Sequence, residues 1–234
     1  MPPNKPLLLA SSLGCALGVM WLSARTAGAA APRLLVFVHV AIKQRALQAL
    51  LRDALPGLAI TTVGRVADFD RALEDGQDAV LTLPAVLQAH GLSPRLRGYR
   101  DGSPDEKYSL VGADVAPTPA SVRTVGAVDL VGREGTTSFV QGLLGSQPKV
   151  ERVTKVEDLL PLLQMQRADA VLLPSRLFAE IKSTSSLNLA QRELAAKVGI
   201  LAVASVGEAG GQAVTEVGKL SGDAARAFGV EAWK

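Results

Sequence analysis

The sequence predicts an α/β fold: two βαβαβ lobes joined by two crossover strands. Three observations predict it. Apolar, β-branched runs alternate with amphipathic helical stretches twice along the chain, the pattern of parallel sheets with helices on their faces. The segment Asp-Ala-Val-Leu occurs at 78–81 and again at 169–172, each time followed by a proline and a helical stretch, as expected of an internal repeat. A further apolar run at 198–204 follows the second unit, so the chain returns to the first lobe and closes a two-crossover structure.

The first unit starts with a buried strand at 34–40 (LLVFVHV). In 41–54 the residues Ala41, Ile42, Ala46, Leu47, Leu50 and Leu51 fall on one helical face, and Pro56-Gly57 stops that helix. Strands follow at 58–63 and 78–83, with a short helix at 67–75 between them, in which Phe69 and Leu73 stand four apart. Residues 92–106 are rich in Arg, Gly, Ser, Pro and Asp and read as a loop. A strand is predicted at 107–115, then a Pro-rich linker at 116–121.

The second unit repeats the order. Strands are predicted at 123–131, 149–153 and 169–173, and helices at 136–144 and 156–167, the latter despite Pro161. From 187 to Lys197 the composition predicts helix, then the strand 198–204, then one glycine-interrupted helix over 211–230. The organisation read from this is a leader at 1–31, a first lobe at 32–115, a second at 122–197, and a return to the first at 198–234.

The leader has the tripartite pattern of a secretory signal peptide: Lys5, an uncharged and mostly apolar run from Leu7 to Leu22, and the small-residue site Ala27-Gly28-Ala29. An uncleaved anchor is one alternative. A lipoprotein signal at Ser12-Leu13-Gly14-Cys15 is another, although the usual Leu three residues before the Cys is missing. The 234 residues carry a net charge of +3, but Lys5 and Arg25 lie in the leader with no acid, which leaves +1. No basic stripe interleaved with aromatics exists, so nucleic acid is not an expected partner. The sole cysteine, Cys15, also leaves with the leader, in keeping with an oxidising destination such as the periplasm. One Cys and two His exclude a cysteine-rich metal site and leave little for a histidine one, and neither metal nor cofactor is expected.

The strongest candidate site is Gly132-Arg133-Glu134-Gly135-Thr136-Thr137-Ser138, after a strand and before a helix. Free backbone N–H groups and the positive end of a helix suit a carboxylate, phosphate or phosphonate. Thr136, Thr137 and Ser138 add hydroxyls, Gly135 allows close approach, and Arg133 adds a charge-assisted bond. The alternative is an ordinary cap in which Thr136 or Thr137 satisfies the helix itself. The matching junction of the first unit carries His39 at a strand end, where open α/β sheets place ligands, with Lys43 and Gln44 on the next turn. A partly buried histidine beside two solvated side chains is its plainer reading. The junctions after the third strands offer Thr82, and Ser175 with Arg176, whose guanidinium either clamps an anion or lies on the surface. Arg95, Arg97 and Arg100, with Tyr99, either face an anion or form a solvated loop neutralised by Asp101, Asp105 and Glu106. Enzyme signatures are missing: no nucleophile elbow, no His-Glu-x-x-His, no Gly-x-Gly-x-x-Gly after a strand. His90, near Gly91, reads as a helix-end residue.

The stretches 123–144 (RTVGAVDLVGREGTTSFVQGLL) and 150–173, with the leader and the element order, resemble the type 2 periplasmic solute-binding proteins, in the phosphonate-binding-like group of ABC-transporter components. The resemblance implies a non-enzymatic, monomeric, periplasmic protein. It would capture a small anionic molecule between its lobes and pass it to an inner-membrane transporter. Two other readings stand beside it. One is the same fold reused for partner binding or sensing, which a short chain and a first lobe without a Gly/Ser-rich loop favour. The other is a dehydratase- or deaminase-like enzyme built on His39 and Glu134.

Overall fold

A computed structural model describes residues 30–40 and 42–234, so residues 1–29 of the expected leader lie outside the described residues, as does Ala41. Everything below concerns the unit that runs from Ala31 to Lys234.

The first half of the chain forms β1 (Arg33–Phe37), α1 (Gln44–Ala54), β2 (Ala59–Val63), α2 (Val66–Glu74), β3 (Ala79–Thr82) and α3 (Pro84–Ala89). β1 is flanked by β2 and β3, both parallel to it. Its side chains Leu34, Leu35, Val36 and Phe37 are all buried, because helices cover both faces. The strand stops at Phe37 rather than at 40, and α1 begins at Gln44, which leaves Val38–Lys43 as an open connection.

The expected loop at 92–106 is instead a strand for much of its length, β4 (Pro94–Tyr99). Arg95 and Arg97 alternate outward while Gly98 is buried, and a Cβ there would lie 2.7 Å from Val230 Cγ2. A polar composition hid an alternating strand with its proline at the first position, where the missing N–H is tolerated.

β5 (Asp105–Ala113), β6 (Thr124–Val128), α4 (Gly132–Leu144), β7 (Lys149–Val153), a short 3-10 turn (Val156–Asp158), α5 (Leu159–Gln164) and β8 (Ala170–Pro174) follow. Another 3-10 turn (Ser175–Leu177) leads into α6 (Phe178–Thr184). Pro161 is the third residue of α5, where its lack of an N–H costs nothing.

The expected helix before Lys197 is the long strand β9 (Leu189–Gly199). Ala, Gln, Arg, Glu and Lys favour helix in isolation, but β9 pairs antiparallel with β5 from Asp105↔Gly199 to Ala113↔Leu189. That ladder and the burial of Leu189, Leu194 and Val198 override propensity. The returning strand is β10 (Ala202–Ser205). The tail is two helices, α7 (Gly210–Val217) and α8 (Gly222–Ala227), broken at Gly218–Ser221 and closed by β11 (Ala232–Trp233).

The sheets run β11-β4-β10-β3-β1-β2 and β7-β6-β8-β5-β9. Each holds three parallel strands with the earliest in the middle, then an antiparallel strand from elsewhere in the chain. In the first sheet that strand is β10, which follows the second lobe; in the second it is β5, which precedes it. The chain therefore crosses between lobes twice, from β4 to β5 and from β9 to β10.

The Asp-Ala-Val-Leu repeat has a shared physical role. Asp78 Oδ2 accepts a hydrogen bond from Arg33 N at 2.8 Å, at the start of the central strand β1. Asp169 Oδ2 accepts from Arg123 N and Thr124 N at 2.8 and 2.9 Å, at the start of the central strand β6. Each carboxylate ties the third parallel strand of its sheet to the first.

Candidate functional site

The lobes meet along an apolar seam. Leu130, Val131 and Phe139 of the second lobe pack into the core of the first, which is built around Phe37, Phe69, Leu81 and Leu87. Within the seam lies a cavity of about 40 Å³, bounded by His39, Leu83, Tyr108, Leu130, Phe139 and Ile200. A space of that size holds ordered water, not an amino acid. Glu106 and Arg176 close one end, joined by Arg176 Nε donating to Glu106 Oε2 at 2.9 Å. Burial pushes the Glu106 carboxyl up; the Arg176 guanidinium, and more weakly that of Arg100, oppose it. Burial likewise pushes the Tyr108 phenol up, reinforced by Glu106.

A larger cleft of about 380 Å³ adjoins this cavity and shares His39 with it. The first lobe supplies Lys43 and Gln44 from the β1–α1 connection and Arg65 and Asp68 from the start of α2. Lys155 and Glu157, after β7, form the second lobe's side. These positions lie beyond the C-terminal ends of parallel strands, where this class of sheet opens to ligands. Arg65 and Asp68 pair at 3.8 Å. Lys43 and Lys155 have no carboxylate within 4 Å among the described residues. Gln44 is occupied: its side-chain amide donates to the carbonyl of Thr62.

His39 stands in the wall common to both spaces. Its ring packs edge-on against Phe37 at 5.1 Å. Both ring nitrogens are shielded from solvent and lack a hydrogen-bond partner. Burial lowers its pKa from 6.5 to about 4, against a smaller upward pull from Asp129, so the ring is neutral at pH 7. A neutral imidazole with one donor and one acceptor unused is a binding group without a partner. The other histidine is fully engaged, with His90 Nδ1 2.9 Å from the Val86 carbonyl and Nε2 3.0 Å from Asp70 Oδ1. It ends α3, as its place beside Gly91 predicts.

The junction favoured from sequence is built differently from the expectation. α4 starts at Gly132, so Thr136, Thr137 and Ser138 lie in its second turn and not at its opening. Thr136 is fully buried; its hydroxyl donates to Asp129 Oδ1 at 2.8 Å and accepts from Leu130 N and Val131 N at 3.0 and 3.1 Å. Arg152 pairs with the other oxygen of Asp129. Thr137 Oγ1 donates to the carbonyl of Arg133 at 2.7 Å. Gly135 is small for packing, since a Cβ would stand 2.6 Å from Val131 Cγ2. Arg133 and Ser138 are exposed, and none of these residues lines either space.

The remaining candidates separate. Thr82 is buried and donates to the Phe37 carbonyl at 2.6 Å. Ser175 shares a 2.7 Å hydrogen bond with Ser109. Arg176 lines the small cavity and is held by Glu106. Of the residues singled out from sequence, His39 and Lys43 share the larger cleft. Sequence reasoning missed Arg65 and Lys155 as cleft residues, although both follow parallel strands, the signal that marked His39. Glu134 is exposed on α4, and His39 bonds to no residue, so the pair considered for catalysis is not assembled. Among the described residues no group of three or more His, Cys, Asp or Glu is arranged to hold a metal ion, and no helix is long and apolar enough to cross a membrane.

No family model and no curated protein matches the chain. Solved structures do match it. The VFT2 domain of BvgS from Bordetella pertussis, in a double mutant, is 16% identical, with 84% of this chain and 91% of that one covered and a TM-score of 0.59. An arginine-bound variant of ArgBP from T. maritima is 17% identical over 79% and 92%, with a TM-score of 0.56. XAC2383 from Xanthomonas citri, bound to ATP, is 14% identical over 86% and 90%, also at 0.56. With the duplicated 2-1-3 sheets and the two crossovers, this likeness defines the fold as that of the type 2 periplasmic binding proteins, the Venus-flytrap architecture.

Proposed function

We propose that the chain is an exported binding protein, not an enzyme, that captures a small anion of the carboxylate or phosphonate class between its lobes. The observation that carries this reading is the 380 Å³ cleft. Residues of both lobes wall it, among them His39, whose ring nitrogens have no partner, and Lys43 and Lys155, neither with a carboxylate within 4 Å among the described residues. Lys43 and Lys155 supply charge, and His39 supplies one oriented hydrogen bond. An anion touching both lysines binds the closed arrangement better than the open one, which is what a ligand must do to drive closure. The leader pattern supports a periplasmic protein, and the arginine and ATP bound to its structural neighbours support a small-molecule ligand. Delivery to an inner-membrane transporter by a monomer completes this reading.

A thermal-shift screen of phosphonates, carboxylates, sulfonates and amino acids tests it. A ligand at 100 times its Kd adds about 2.7 kcal/mol of stability. A shift that Lys43→Ala or Lys155→Ala removes supports the cleft, and a shift that only Arg133→Ala removes moves the site to α4. The apolar seam favours one second reading, a partner-binding or sensory domain whose lobes close on apolar contacts without a solute. No shift across the whole panel, with a protein partner recovered from envelope extract, establishes that one.

A further inference from the structure

A third space, of about 300 Å³, opens beside Arg176 and also has walls from both lobes. Arg226 and Gly229 come from the first lobe, Arg176 and Glu180 from the second, and Arg100 from the β4–β5 crossover that joins them. Gly229 has φ +68°, and its bare face is where two arginines converge. A Cβ there would stand 3.2 Å from both Cδ and Nε of Arg176 and 3.3 Å from Nη1 of Arg100. Two guanidinium groups of like charge are thus held side by side against backbone. The buried carboxylate near them, Glu106, is already engaged by Arg176. Among the described residues Arg100 has no carboxylate within 4 Å. Arg226, on the rim, pairs only with Asp223 of its own helix, where both side chains are exposed and the pair is weak. Glu180 is exposed at the mouth.

We infer that this pocket, which adjoins the cleft of His39 and Lys43 at Ile42, is an oxyanion site of the phosphate type in which Arg100 and Arg176 hold one anion. Guanidinium groups match the tetrahedral oxyanion by paired N–H donors. A bound anion offsets the positive charge of Arg100 and Arg176 that the single carboxylate of Glu106 leaves uncompensated. The bound anion ties the β4–β5 crossover to the start of the turn after β8. The inference does not depend on what the main cleft binds.

Calorimetric titration of the full chain with inorganic phosphate, at ionic strength held constant with chloride, tests it. The expected result is saturable binding that Arg100→Gln weakens at least tenfold and that Arg226→Gln weakens a few-fold. Arg226 is an exposed rim residue, so its variant keeps the test decisive if Arg100→Gln fails to fold. Absence of saturable heat overturns the inference. So does phosphate binding that survives both arginine changes, since the anion would then lie elsewhere.

Discussion

The two lobes are built on one plan and differ at one junction. In both, the central strand is tied at its start by the aspartate of an Asp-Ala-Val-Leu strand. In both, the connection from that strand to its helix faces the other lobe. In the second lobe the connection closes on itself: the buried hydroxyl of Thr136 satisfies two backbone N–H groups and Asp129. In the first lobe the connection is left open: His39 finds no partner, and Lys43 points to a cleft. Polar residues at equivalent places in a duplicated fold serve different ends, and the difference lies in whether the protein itself completes their hydrogen bonds.

This contrast can be broken from either side. The largest expected effect is that of Thr136→Val, which keeps the volume but strands two buried N–H groups and a carboxylate oxygen. It lowers stability by ~3 kcal/mol in urea unfolding, and a loss below 1 kcal/mol would mean that the second-lobe junction is not closed as described.

Next is pH. His39 is lowered in the folded state to about 4 from 6.5, so between these values the unfolded chain holds more protons. Stability therefore falls as pH drops from 6.5 toward 4, by about 2–3 kcal/mol from this group. The raised carboxyl of Glu106 works in the opposite sense, since its burial cost fades as it protonates. Comparison with His39→Leu isolates the histidine: the variant gains on the parent protein as pH falls through this window. Parallel curves would place the His39 ring in water.

A third and smaller effect sharpens the part the lobes share. Asp169→Ala, which removes an acceptor for two backbone N–H groups at the start of β6, costs about 2 kcal/mol. Asp78→Ala costs a similar amount at β1, and unequal losses would mean that the repeat is not equivalent. The smallest change is expected from Ser138→Ala, an exposed residue in the second turn of α4: stability within about 0.5 kcal/mol and ligand binding unaltered.

The repeat was legible because burial on both faces forces apolar runs and because its aspartate sits at a fixed place in each sheet. β9 was not, since its residues favour helix and only pairing with β5, far away in sequence, makes it a strand. β4 was hidden for a related reason: its outward arginines look like a loop until Leu96 and Gly98 are seen facing inward. The rule that ligands gather past strand ends led to His39 and Lys43, which line the larger cleft. Thr136 could not be told from a ligand residue, because a cap and a binding group use the same hydroxyl, and only its three-dimensional partners distinguish them. Lys155 was equally obscure, since nothing local says that the turn after β7 faces the opposite lobe.

The most direct test of the account is imidazole nitrogen NMR of the protein during titration with whichever anion the thermal screen selects. The chain has two histidines, and His90 is held by Asp70 and the Val86 carbonyl, so the two rings report from separate places. The account predicts that the ring signals of His39 move with saturation of the ligand while those of His90 stay fixed. A ligand that saturates the protein and leaves His39 unmoved would contradict it.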